Sequence, residues 1–124
     1  VPSQLSANMV TLICGGRDFT SYDALEEAMK MLPTKPTILI QGGAKGADYL
    51  GKLWAILNDV QYAEVPAMWE NFGKSAGFKR NAAMLLLRPE YCIALPGGVG
   101  TRMMIDLCNK ANVPVWEPYP KETT

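Results

Sequence analysis

The sequence predicts an α/β fold: a Rossmann-like three-layer sandwich built on a parallel sheet of about five strands. Three observations point there. Short β-rich apolar runs alternate with segments whose apolar residues recur at helical spacing. Glycine clusters stand where the first, second and fourth of those runs end. A hydrophobic content of 48% in 124 residues suits one core and is too little chain for two ordinary domains.

The elements follow in order. Val10-Thr11-Leu12-Ile13-Cys14 is too short for a buried helix and reads as a buried strand ending at Gly15-Gly16. Thr20 is positioned to cap the next helix, with Asp23 three residues later completing a capping box in which Asp replaces Glu. Tyr22, Leu25, Ala28, Met29 and Leu32 form its apolar stripe, and Pro33 stops it. The phrase then repeats. Thr37-Ile38-Leu39-Ile40-Gln41 runs into Gly42-Gly43-Ala44-Lys45-Gly46, and Ala47, Leu50, Leu53, Trp54 and Leu57 supply a second helical stripe. Residues 60–65 make a weaker third strand ending at Pro66, and an aromatic, polar connection runs through Trp69 and Phe72 to Gly77. A third helix is predicted over 78–87 and a fourth strand over Tyr91-Cys92-Ile93-Ala94-Leu95. Pro96-Gly97-Gly98-Val99-Gly100 forms the third glycine turn, and Met104, Leu107, Cys108 and Ala111 form a fourth apolar helical face. Residues 113–116 close the pattern as a short strand. A single domain spans 9–117; residues 1–8 read as an extension before Met9, a natural initiator, and 118–124 as a flexible tail.

Strands that alternate with helices imply parallel pairing through right-handed crossovers, with helices on both faces. In such sheets ligands bind beyond the carboxyl ends of the strands, so the three glycine clusters converge on one rim.

Composition removes several classes of function. Lys+Arg and Asp+Glu balance at 12 each, so no global positive field draws the chain onto nucleic acid or an anionic membrane. No apolar run approaches the ~20 residues that span a bilayer and no signal peptide is evident, which predicts a soluble cytoplasmic protein. Cys14, Cys92 and Cys108 are odd in number and lack metal-type spacing, as expected of reduced core thiols. No metal site and no cofactor is predicted. The absence of histidine removes the usual general base and excludes Ser-His and Cys-His nucleophilic schemes.

What remains is anion chemistry at the rim. Glycine lets backbone N–H groups approach a ligand closely, and the helix that follows adds partial positive charge. The fullest example is Pro96-Gly97-Gly98-Val99-Gly100-Thr101. One such turn is equally well explained by chain reversal alone; three on one rim point to a ligand. None carries the dinucleotide fingerprint or the GKS/GKT of a P-loop: Lys45 is followed by Gly46. Beside the glycines, Arg17 either holds phosphate or pairs with Asp18 or Asp48, and Lys79, Arg80 and Asn81 open the third helix with phosphate- and sugar-binding chemistry. Phe19 and Ala44 complete the first two loops. Asp48 lies in the first turn after Gly46, where it also suits the helix dipole. Trp69 is available to stack on a ring or to cover core. For self-association, Leu85-Leu86-Leu87 or the Trp54 face could pair two copies, or both could be core.

Ile13-Cys14-Gly15-Gly16-Arg17-Asp18-Phe19, Gln41-Gly42-Gly43-Ala44-Lys45-Gly46-Ala47-Asp48, Pro66-Ala67-Met68-Trp69, Lys79-Arg80-Asn81-Ala82-Ala83-Met84 and Pro96-Gly97-Gly98-Val99-Gly100-Thr101 together resemble the YspA-type, cpYpsA-related SLOG family. The resemblance covers residues 9–116. It implies a Rossmannoid domain that binds nucleotides or nucleotide-derived ligands, of bacterial or phage origin. The wider superfamily includes DNA-processing protein A and the Lonely Guy phosphoribohydrolases. The chain is similar to the latter at Arg80 and across Pro96 to Thr101, and departs where they carry the glutamate expected to assist N-glycosidic cleavage. That position is Met104. The resemblance therefore implies a binding module for a nucleotide, an oligonucleotide signal or an ADP-ribose-like metabolite. The alternatives are an N-glycosidase using Asp18 or Asp48, and a single-stranded nucleic-acid binder contacting through Arg17, Lys45, Lys79 and Arg80, which the neutral net charge disfavours.

Overall fold

The structure, a computed structural model, describes residues 9–120; the predicted extension 1–8 and the end of the predicted tail, 121–124, lie outside the described residues. Strands β1 (Val10–Cys14), β2 (Ile38–Gln41), β3 (Gln61–Glu64), β4 (Tyr91–Ala94) and β5 (Val115–Trp116) form one parallel sheet in the order β3-β2-β1-β4-β5. Helices α1 (Tyr22–Lys30) and α2 (Ala47–Leu57) lie between the first three strands. A four-residue helix α3 (Trp69–Phe72), a 3₁₀ turn (Gly73–Ser75) and α4 (Ala76–Leu85) carry the chain from the β3 edge to β4, beside β1, and α5 (Val99–Lys110) precedes β5. The strand order reverses between β1 and β4, the switch point at which such sheets open a crevice.

Alternation along the strands divides the core in two. Ile13, Leu39 and Ile93 pack with Leu25 and Met29 of α1 and Trp54 and Ala55 of α2. Their neighbours Leu12, Cys14, Ile40, Cys92 and Ala94 pack with Met84 of α4 and Met104, Ile105 and Cys108 of α5. Successive residues of a strand face opposite sides of the sheet, so the continuous apolar runs serve two cores at once. At the β3 edge the strand is largely exposed.

Several local expectations are corrected. Ser21, not Thr20, caps α1: its Oγ accepts the Ala24 N–H at 3.1 Å, which leaves Asp23 in the first turn as a dipole partner instead of half of a capping box. The third helix begins at Ala76, two residues before the predicted start, because the connection preceding it is itself helical. Trp54 is 6% exposed, so its face is core and offers nothing to a second copy; Leu86 and Leu87 are exposed. The tail expected to fray from Pro118 is tied down at Tyr119, whose hydroxyl donates to the Ala24 carbonyl at 2.8 Å. Cys14, Cys92 and Cys108 are buried free thiols, with Cys14 and Cys92 Sγ 4.0 Å apart.

Candidate ligand-binding site

The loops after β1, β2 and β4 are knitted to one another by backbone. Gly16 N–H donates to the Pro96 carbonyl at 2.9 Å, and the Gly16 carbonyl accepts from Ala47, the first residue of α2, at 3.1 Å. Gly46 has φ +78°, and a Cβ there would drive into the carbonyls of Gly16 and Arg17. Only glycine lets the start of α2 come this close to the first loop. The loop after β2 is held from inside: fully buried Gln41 accepts from Gly43 N–H through Oε1 and donates through Nε2 to Glu64 at 2.8 Å. From the other side, Arg80 Nη1 donates to the Gly42 carbonyl at 2.7 Å while its Nε donates to Asn81 Oδ1 at 2.9 Å.

These contacts leave a cavity of about 380 Å³ at the switch point. Part of its wall is polar and suits an anion. Gly98 and Gly100 stand at the start of α5, a twelve-residue helix with no side-chain cap and no acidic residue in its first turn, so its free N–H groups and positive dipole end meet the cavity. Arg17, Lys74 and Arg80 are on the same walls. The rest of the wall is apolar and includes Trp69, Phe78, Met84 and Met103, with Gly77 packed against the Trp69 ring. Two smaller cavities adjoin. One, 310 Å³, lies between the loop after β2 and the Pro66-Ala67 segment; the other, 360 Å³, lies over Asp18, Phe19, Pro96 and Gly97. Arg17 lines all three.

Asp48 is the one carboxylate on the walls of the main cavity among the described residues. It is 7% exposed, and its Oδ2 accepts the Ala44 N–H at 3.2 Å. Burial raises its pKa above the usual carboxylate value, against the lowering influence of the loop N–H groups and of Arg80. Arg80 shows the converse, its pKa lowered first by burial and then by Arg17, with Asp48 acting in the opposite sense.

The fold brings together most of the residues expected from sequence. Gly15, Gly16, Arg17, Ala44, Asp48, Trp69, Arg80, Asn81, Gly98, Gly100 and Thr101 line the main cavity, and Asp18, Phe19, Gly42, Gly43, Pro96 and Gly97 the adjoining ones. Gly46 stands behind them as the hinge of the α2 start. Among the described residues Arg17 forms no ion pair with Asp18 or Asp48. Trp69 is half exposed and lines two of the cavities. Two of the expected residues stand away from these three cavities. Lys79 is exposed on α4 with its ammonium 5.1 Å from the centre of the Phe72 ring, outside the cavities, because helical spacing turns it away from Arg80. Val99 is 83% exposed and faces outward from the first turn of α5.

Lys74, Phe78 and Met103 were missed. Gly73-Lys74-Ser75 does spell the P-loop ending, but it occupies a 3₁₀ turn after a short helix, where no strand precedes it. Phe78 and Met103 carry no polar signal, and only the packing of α4 beside α5 brings them to the rim. Among the described residues no cluster of His, Cys, Asp or Glu is placed to hold a metal ion, and no helix is long and apolar enough to cross a membrane.

The chain is similar to Gene 61 protein of Mycobacterium phage D29, 34% identical over 115 residues that cover 84% of this chain and 91% of that protein. No solved structure gives a significant match. A family model described as YspA, cpYpsA-related SLOG family matches residues 9–72, the stretch holding the first two glycine loops and Trp69. The five-stranded parallel sheet and the glycine rim agree with that match, and the chain belongs to the YspA, cpYpsA-related SLOG family.

Proposed function

We propose that the protein binds a nucleotide or nucleotide-derived molecule across the glycine rim, with its ring against Trp69, Phe78 and Met103 and a phosphate at the start of α5. The observation that carries this reading is that the wall of the main cavity divides into two kinds of surface: uncapped helix N–H groups with three cations, and aromatic and thioether side chains. A nucleotide is divided in the same way, and an aromatic wall with a few convergent polar groups is the common form of such sites. Asn81 and Asp48, on the same walls, offer hydrogen-bonding groups to the hydroxyls of a sugar. The likeness to a phage protein supports the narrower reading that the bound molecule is a signalling nucleotide or ADP-ribose-like metabolite, sequestered in the host cytoplasm.

Binding without turnover is favoured by Met104. It stands where the resembled hydrolases carry a carboxylate, is 1% exposed within the α4–α5 core, and has no proton to transfer. A thermal-shift screen tests the proposal. Phosphate-bearing nucleotides should raise the melting temperature, because a ligand that binds only the folded state stabilises it by about 2.7 kcal/mol at a hundredfold excess over Kd. The matching nucleosides should do far less. A flat response to mononucleotides, dinucleotides, cyclic oligonucleotides and ADP-ribose forms alike would remove the claim.

One observation favours a second reading. Asp48 is a buried carboxyl on the cavity wall with a raised pKa, the environment in which carboxyls act as acids in glycosidic cleavage. On the binding reading, the parent protein releases no free base from nucleoside monophosphates above the buffer control. Steady chromatographic turnover that disappears in Asp48→Asn would establish the hydrolase instead.

A further inference from the structure

The 310 Å³ cavity beside the main one has a one-sided charge. Arg17, Lys45 and Arg80 line it together with Pro66, Ala67 and Trp69, and no carboxylate does. None of the three cations forms an ion pair among the described residues, and Arg17 is close enough to Arg80 to disfavour its charge. Asp48 offsets part of this from the neighbouring cavity. Three cations in a concave place whose own lining holds no carboxylate, with Asp48 and Glu64 flanking its loop, leave an excess of positive charge that suits an anion. This place is distinct from the polar part of the main cavity's wall. Gly98, Gly100 and Thr101, at the start of α5, line the main cavity and are absent from this one, while Arg17, Arg80 and Trp69 are shared.

Building on the nucleotide reading above, we propose that the ligand carries two phosphoryl groups, one at the start of α5 and the second held by Lys45, Arg17 and Arg80 between the loop after β2 and the Pro66-Ala67 segment. The two arginines then bridge the phosphates, and Trp69, which lines both cavities, remains available to the ring. A nucleotide reaches this state either through a diphosphate chain at one sugar position or through single phosphates at two positions. Both present the same chemistry to the site.

Calorimetry with the full chain tests this, using the 5′-monophosphate, 5′-diphosphate and 3′,5′-bisphosphate of adenosine and of guanosine. In the parent, the diphosphate or the bisphosphate should bind at least about tenfold more tightly than the monophosphate of the same base, and which of the two gains tells chain from two-position substitution. Lys45 is exposed, so Lys45→Ala and Lys45→Glu should stay folded, which circular dichroism verifies. In Lys45→Ala the ratio should fall to about two or less, and in Lys45→Glu below one. Equal affinities in the parent, or a ratio that survives both substitutions, would overturn the second phosphate site while leaving the nucleotide reading intact. No binding by any of the six compounds would overturn this proposal, and with a flat thermal-shift screen it would remove the nucleotide reading as well.

Discussion

Asp48 sits in the first turn of α2 with its carboxylate turned back onto the loop that precedes it, accepting from Ala44 N–H. Burial raises its pKa, so the folded protein holds this proton more tightly than the unfolded chain. The linkage then has a definite sign. The Asp48 contribution to stability is greatest below its ordinary value of 3.8 and is lost as pH rises through the raised folded value. The difference in unfolding free energy between the parent and Asp48→Asn should therefore move toward the parent when urea unfolding is repeated at pH 4 instead of pH 7. A pH-independent difference would mean that the carboxylate is not desolvated. The thiols offer a second check on the same wall. Cys92 is held far above the usual thiol range by hydrogen bonding with Cys108 and Cys14 and by burial, whereas Cys14 alone of the three lines the cavity. Iodoacetamide should label Cys14 first in the native protein, and bound nucleotide should slow it; mass spectrometry of the labelled peptides reads both effects.

At the scale of elements, the start of α2 and the start of α5 make opposite use of glycine. Gly46 has a left-handed φ and no room for a Cβ beside Gly16 and Arg17, so Gly46→Ala should cost about 2 kcal/mol or more and disorder two loops together. Gly98 has nothing within 4 Å of the place a Cβ would take and an ordinary negative φ of −106°. Gly98→Ala should leave chemical denaturation nearly unchanged, and Gly98→Asp should abolish phosphate-dependent binding in a folded protein by putting negative charge at the helix end. Arg80 on α4 ties these elements to the loop after β2. Arg80→Ala should lose about 1.5–3 kcal/mol of stability through the freed Gly42 carbonyl, as well as ligand affinity. Arg80→Lys should restore neither fully, because an ammonium cannot reach Gly42 and Asn81 at once with a planar fork. Calorimetry and denaturation on the same variants separate the two losses.

For the molecule as a whole, strand order decides where function can reside. β1, β2 and β4 fill the middle of the sheet between two cores, whereas β3 is a largely exposed edge; hydrogen exchange should be slowest in the three inner strands and faster in β3. The alternation of strands and helices, the two-faced burial of the apolar runs and the grouping of glycines at strand ends were all legible in the sequence, because periodicity and turn chemistry are local properties of the chain. The start of α4 was less so, since the aromatic, polar connection before it carries no apolar periodicity although it is helical. The sequence by itself determined the fold class, the glycine rim and the exclusion of histidine chemistry. Only the tertiary structure decided that Arg17 has no ion pair among the described residues, that Lys79 lies beside Phe72 while Lys74 lines the main cavity, that Phe78 and Met103 join its wall, and that three cations line one cavity whose own lining has no carboxylate. Those facts depend on which residues, distant in the chain, meet at the β1–β4 switch point, and no window of local sequence contains that information.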